Sequence, residues 1–273
     1  MPWYEPHPTP ADLSATLACS WTATPSGRHR LVPDACVELL WLTTGPVIVC
    51  GPETRAWTFE LPKPTRAIGV RFRPGAAGPI LGLDISRIRD RRIRWAELTS
   101  TADEARLSGA ISAAIREGAD VRAGVRLLEA EVRRMSQGRR RGMESGNDGL
   151  AESVLASLSL PVPVAQAVIA AELGLSPRQL HRRSLVLFGY GTSILARVLR
   201  FQRLLSVTSM ASDMPLAQRA CRAGYSDQAH LTRDCRAIAG LTPTAFFAEY
   251  FPTFPDMSDP FKTSASAPLR LIA

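Results

Sequence analysis

The pattern Ala-x-x-x-Gly-x-Ser occurs twice in this chain, as Ala170-Ala-Glu-Leu-Gly174-Leu-Ser176 and as Ala220-Cys-Arg-Ala-Gly224-Tyr-Ser226. The repeat has a mechanical reading. A small alanine lets a second helix cross closely, a glycine supplies the positive φ that ends the helix, and a serine N-caps the next one. Two helices joined in this way form a helix-turn-helix unit, and the stretch from Val164 to Phe247 holds two of them.

Each helix after a turn can be tested by its own periodicity. Leu180, Ser184 and Leu187 fall at i, i+4 and i+7, as do Leu231, Cys235 and Ile238, so these residues should face inward. The opposite faces carry Arg178, Arg182 and Leu185 with His181 beside them, and Ala229, Arg233 and Arg236 with Thr232 beside them. Arginine grips guanine O6/N7 or phosphate bidentately, so a helix offering it at successive turns suits a DNA major groove. Between the units, Thr192 to Thr208 reads as one helix of about 25 Å. Sites on one face of B-DNA recur every 34 to 36 Å or so, and a rigid spacer lets one polypeptide enter two successive grooves.

Several separate motifs resemble the DNA-binding domain of the AraC/XylS family of bacterial transcription regulators. They are Leu173-Gly-Leu-Ser-Pro-Arg-Gln-Leu-His-Arg-Arg183, Gly189-Tyr-Gly191, Leu199-Arg-Phe-Gln-Arg203, Ala223-Gly-Tyr-Ser-Asp-Gln-Ala-His-Leu-Thr-Arg233 and Gly240-Leu-Thr-Pro243. The resemblance covers about a hundred residues and implies a seven-helix domain with two recognition helices. Arg178, His181 and Arg182 are then the candidates for the first groove, and Gln228, His230, Thr232, Arg233 and Arg236 for the second. Two departures stand out. The family usually has Phe where this chain has Ser184 and Cys235, so the core is looser or Phe188, Phe246 and Phe247 compensate. Leu185 and Val186 also stand where basic residues are common.

Composition bounds the rest. A chain of 273 residues can bury two cores, and a 45% apolar fraction is ordinary for a globular protein. The net charge of +8 fits nucleic acid, an anionic membrane or plain solubility, and becomes informative only beside the repeat. No run of 18 apolar residues occurs, and the N-terminus lacks the features of a signal peptide. The expected location is the cytoplasm, on the nucleoid, with no membrane contact. The five cysteines are widely spaced without a C-x-x-C pair, and read as reduced, buried thiols.

From Trp3 to Arg73 short apolar runs alternate with Pro and Gly. Leu31-Val32, Cys36 to Leu42, Val47 to Cys50, Trp57 to Leu61 and Ala67 to Phe72 read as strands of a small β-sheet or barrel. The motifs at 32–40, 50–55 and 69–75 resemble the N-terminal domain of one subfamily of the same regulators. Helices are expected at Ala76 to Leu81, Ile85 to Leu98, Glu104 to Glu117 and Val121 to Met135, the last two forming a hairpin across Gly118-Ala-Asp120. In related regulators such a hairpin often makes the dimer contact. Ser136 to Gly149, with four glycines and Arg139-Arg-Arg141, reads as a linker, and the residues beyond Tyr250 as a mobile tail.

The expected architecture is therefore α+β. Residues 1–135 form a β-rich sensing and dimerisation domain with a helical hairpin, and 136–149 a linker. Residues 150–250 form an all-α double helix-turn-helix domain, and 251–273 a flexible tail. Bland readings hold for several side chains. His181 and His230 sit on different helices, too far apart to share an ion, and no metal or other cofactor is expected. Cys36 reads as a buried strand thiol, and Trp41, Trp57 and Phe72 as core aromatics ahead of effector-pocket walls. No Gly-x-Ser-x-Gly, P-loop or dinucleotide fingerprint points to an enzyme. The expected partner is double-stranded promoter DNA, with RNA polymerase, a small-molecule effector and a second copy of the chain as further candidates. The rival reading is a receptor or enzyme in the N-terminal half with a degenerate helical appendage, and a third is an architectural DNA binder.

Overall fold

A computed structural model describes residues 4–25, 27–43, 45–62, 65–116, 121–139, 149–160, 164–210 and 214–250. In the N-terminal half the strands are β1 (Tyr4–His7), β2 (Leu17–Ala23), β3 (Gly27–Leu31), β4 (Glu38–Leu42), β5 (Val47–Cys50), β6 (Trp57–Leu61), β7 (Ala67–Phe72) and β8 (Arg92–Arg94). Helix α1 (Ala77–Leu81) precedes β8, and α2 (Thr101–Arg116) and α3 (Val121–Arg139) follow it. Six strands form one antiparallel sheet in the order β1-β2-β7-β4-β5-β8, and β3 pairs with β6 in a separate ribbon.

Strand β7 is buried along its whole length because α3 covers one face of it and Trp21 lies over Gly69 on the other. The helical hairpin packs as its periodicity requires. Leu107, Ile111 and Ile115 of α2 and Val125, Leu128 and Val132 of α3 are buried against Ile68 and Val70. Each such side chain contributes about 1.5 to 3 kcal/mol by leaving water. The residues joining the two helices lie outside the described residues.

The sheet also buries an ion pair. Arg71 of β7 and Glu38 of β4 are partners in the strand register, and their side chains meet at 2.6 Å. Asp34 lies 3.5 Å from the same guanidinium. Burial pushes the Glu38 carboxyl up, against the pull of Arg71.

Several expectations need correction. The segment from Ile85 to Leu98 is not a helix. Asp84 accepts from Ser86 N and caps a single 3-10 turn, Ile85–Ile88, before residues 92–94 pair with β5 and Trp95–Glu97 makes another short turn. Pairing with β5 and the complete burial of Trp95 outweigh the weak amphipathic pattern. Strands β1 and β2 were not foreseen. β1 contains Pro6 and lies at the sheet edge, where a residue without an N–H is tolerated. Cys36 is buried but precedes β4 in a loop, and burial pushes its thiol well up. Trp57 is only half-buried, because it sits on the two-stranded ribbon, covered by the Arg92 guanidinium 3.5 Å from its ring centroid.

The second half contains α4 (Leu150–Leu158), α5 (Gln166–Glu172), α6 (Pro177–Phe188), α7 (Thr192–Met210), α8 (Leu216–Arg222), α9 (Gln228–Ala239) and α10 (Pro243–Tyr250). Helix α3 runs through Arg139 and takes in the first four residues of the expected linker. The remainder of that linker up to residue 148, and the expected tail at 251–273, lie outside the described residues.

The two halves are packed together. Val32 joins a cluster with Phe201, Leu205, Cys235, Ile238 and Phe246, while Ala35 joins the core of the first helix-turn-helix unit. Gln202 donates to Pro33 O at 2.6 Å, and Arg30 pairs with Glu249 at 2.9 Å. The N-terminal half thus abuts the C-terminal ends of both α6 and α9: Arg89 donates to Gly189 O, and Ala56 N to Ile238 O.

Candidate nucleic-acid interface

The first unit follows the sequence pattern closely. Ala170 is fully buried where the helices cross, and Gly174 has φ 65° between α5 and α6. Ser176 Oγ accepts from Gln179 N at 3.2 Å, and Gln179 Oε1 accepts from Ser176 N at 2.8 Å. This reciprocal cap satisfies two N–H groups that a helix start leaves open, and Pro177 at the first helical position sacrifices no hydrogen bond.

The second unit keeps the buried Ala220 and a left-handed Gly224 at φ 92°, but its cap differs from the expectation. Asp227, one residue later than Ser226, caps α9 by accepting from His230 N at 2.6 Å. Ser226 Oγ instead donates to Asp227 Oδ2 at 2.9 Å. Proline follows the serine in the first unit and starts the helix there; aspartate follows it in the second and takes over the cap. The backbone N–H of His230, with Ser226 behind it, holds the Asp227 carboxyl below the usual carboxylate range.

Both recognition helices bury the residues their periodicity selects. Leu180, Ser184 and Leu187 face inward on α6, as do Leu231, Cys235 and Ile238 on α9. Arg178, His181 and Arg182 are exposed on α6, and Gln228, Arg233 and Arg236 on α9. The His181 ring lies against Gly191 at the turn into α7, where an added Cβ would come within 2.6 Å of Nδ1. Thr232 is half-buried and its Oγ1 donates to Gln228 O at 2.8 Å.

His230 is placed differently from its neighbours. Its ring sits edge-on to Tyr225, 3.2 Å from Ser226 Oγ and 3.6 Å from Asp234, with 23% of the side chain exposed. Its polar atoms are thus engaged within the unit, and its geometry suits holding the start of α9 in place.

The arginines of α7 brace the domain. Arg203 donates to Ala223 O at 2.8 Å and to Ser159 O at 2.9 Å, linking the second unit's turn to the end of α4. Arg197 and Arg200 both approach Asp234, which is buried on α9. That carboxylate escaped the sequence reading. Its signal was an acidic residue beside the inward position Cys235, opposite a cationic helix.

Burial raises the Cys235 thiol to about 12, so it behaves as a small packing residue. Among the described residues no group of three or more His, Cys, Asp or Glu is arranged to hold a metal ion. No single described helix is long and apolar enough to cross a membrane.

Residues 169–249 match a family model described as a helix-turn-helix domain, and residues 4–94 match a domain of unknown function, DUF6597. No curated protein matches the chain. Among solved structures, it is similar to ToxT from Vibrio cholerae O395, at 10% identity over 88% of this chain and 99% of that one, with a TM-score of 0.47. It is also similar to unsaturated fatty acid bound wild-type ToxT from Vibrio cholerae strain SCE256, at 9% identity over 83% of this chain and 94% of that one, with a TM-score of 0.44.

Proposed function

We propose that the chain is an AraC-type DNA-binding transcription regulator, a reading supported by the helix-turn-helix match over residues 169–249, and that α6 and α9 enter successive major grooves of promoter DNA. The observation that carries this reading is the pairing of two exposed cationic helix faces with one continuous helix between them. Helix α7 spans about 28 Å at 1.5 Å per residue, which is of the order of one turn of the duplex. Arg178, His181 and Arg182 serve the first groove, and Gln228, Thr232, Arg233 and Arg236 the second. His230 positions α9.

In this reading residues 1–135 receive a signal, from a small-molecule effector or a second copy of the chain, and transmit it through the packing against α6, α7 and α9. Contact with RNA polymerase then turns DNA occupancy into a change in transcription.

Selection of bound sites from a random DNA pool tests the proposal. Two preferred blocks spaced by about one helical turn are expected. Arg182→Ala and Arg233→Ala should each cost about 1 to 3 kcal/mol on the selected site where the residue reads a base. An equal loss on every sequence assigns the residue to phosphate. Failure of the full chain to bind random duplex at low salt defeats the reading and favours the receptor or enzyme alternative.

A further inference from the structure

A cleft of about 900 Å³ opens between the two halves of the chain, and six of the side chains lining it are arginines. Arg30, Arg55 and Arg89 come from the N-terminal half; Arg197, Arg233 and Arg236 come from α7 and α9. Three have protein acceptors: Arg30 meets Glu249, Arg89 donates to Gly189 O, and Arg197 faces Asp234. Among the described residues, no ion pair or side-chain hydrogen bond engages Arg55, Arg233 or Arg236. The carboxylate among the lining residues, Asp90, is occupied by Thr54, whose N and Oγ1 donate to it at 2.6 and 2.8 Å. Three exposed guanidinium groups without a protein acceptor, gathered in one cleft, favour the entry of an anion.

The loop that presents Arg55 is anchored on both sides. Thr54 is held by Asp90, and Ala56 N donates to Ile238 O at 2.5 Å, at the end of α9. Asp90 in turn adopts φ 56°, a left-handed conformation that strains a non-glycine residue. Its N–H donates to Pro52 O at 3.1 Å. Arg55 therefore sits between two pinned neighbours, and Arg89 directly precedes the strained residue. Solubility alone asks for no such anchoring.

We infer that the N-terminal domain is part of the DNA interface: the sugar-phosphate backbone of a duplex engaged by α9 continues along this cleft, where Arg55 and Arg89 contact phosphates. The inference rests on the DNA-binding reading above. Arg233 and Arg236 share the exposed face of α9 and also line the cleft, so a strand meeting that face passes the loop carrying Arg55. Arg89 spends one donor on Gly189 O and keeps four for an anion. Any shift of the N-terminal domain relative to α9 then changes how many phosphates are neutralised, and with it the affinity.

The test is the salt dependence of duplex binding by the full chain, wild type against R55Q/R89Q. Each lost phosphate contact flattens the plot of log affinity against log salt by roughly 0.9, so the double variant should lose roughly 1.8 in slope, with its sequence preference unchanged. R55K/R89K should keep the slope, and R66Q, which removes an exposed arginine outside the cleft, should leave it nearly intact. The lysine pair also separates lost charge from lost folding, which melting temperatures check directly. Wild-type binding that R55Q/R89Q reproduces in slope and affinity overturns this inference while leaving the roles of α6 and α9 standing. Wild type that binds no duplex at low salt overturns both. Inorganic triphosphate that raises the melting temperature of wild type but not of R55Q/R89Q, with the DNA slope unchanged, gives the cleft to a free polyanion and also overturns it.

Discussion

Asp234 places its carboxylate 3.3 Å from Arg197 Nε, and so fastens the second recognition helix to the long helix that separates the two units. Arg200 stands 3.4 Å from the other oxygen, close enough to be an ion pair but without hydrogen-bond geometry. The carboxylate is buried, whereas Arg197 is 45% exposed, so the pair lies between the surface and interior cases. Asp234→Ala should destabilise the chain by about 2 to 3 kcal/mol, below the cost of breaking a fully buried pair. It should also loosen α9 more than α6, as read by amide hydrogen exchange. A melting temperature equal to wild type would remove Asp234 from this role.

Gly174 and Gly189 both hold positive φ, yet their surroundings differ. An added Cβ at Gly174 meets nothing within 4 Å, whereas at Gly189 it lies 2.7 Å from Pro52 Cγ and 3.2 Å from Ile85 Cγ2, across the boundary between the halves. Gly174→Ala should cost only backbone strain, about 1 to 2 kcal/mol. Gly189→Ala adds a clash and should part the N-terminal half from the end of α6. Limited proteolysis, with faster cutting for the Gly189 variant at matched stability, checks the difference.

The C-terminal half was legible because its signals are local. The glycine turns, the inward residues at helical spacing and the long middle helix are each written in a few adjacent residues, and the structure follows them, with Asp227 replacing Ser226 as the one altered cap. The N-terminal half was legible where strands are rich in Val and Ile, as in β5 and β7. It failed where pairing decides. β8 is three residues long and is a strand because β5 accepts it; no periodicity of Arg92-Ile-Arg94 announces that. The arginine cleft was beyond reach for the same reason, since Arg55, Arg89 and Arg236 come together only when the two halves dock.

Ser184 shows how the missing phenylalanine is tolerated. Its side chain is buried and its hydroxyl has no hydrogen-bond partner, while Phe188 and Tyr190, also buried, belong to the core cluster that holds Leu180 and Leu187. A buried hydroxyl without a partner costs desolvation and returns nothing. Ser184→Ala should therefore be neutral or stabilising by up to about 1 kcal/mol, and Ser184→Phe should destabilise by about 1 to 3 kcal/mol through overpacking. Urea unfolding of both variants measures the pair, and a large loss for the alanine variant would contradict the packing described.

Glu53 gives the chain a pH dependence near neutrality. Burial raises its carboxyl to about 7, against the opposing pull of Arg92, whose guanidinium lies 2.5 Å away. Because the folded value lies above the ordinary 4.5, the native state favours the protonated acid. Its contribution to stability is complete below pH 4.5 and is lost as pH rises through about 7. Glu53→Gln keeps the shape and carries no proton to lose, so the stability of the variant relative to wild type should rise across that window, by about 1 to 2 kcal/mol once solvent screening is allowed for. Chemical unfolding at pH 4.5, 5.5, 6.5 and 7.5 reads this difference directly. Glu53 also adjoins the loop carrying Arg55, so alkaline loosening should begin there, visible as faster hydrogen exchange at Thr54 and Ala56 in wild type than in the glutamine variant. A difference that stays flat with pH would show that Glu53 is already ionised in the folded chain.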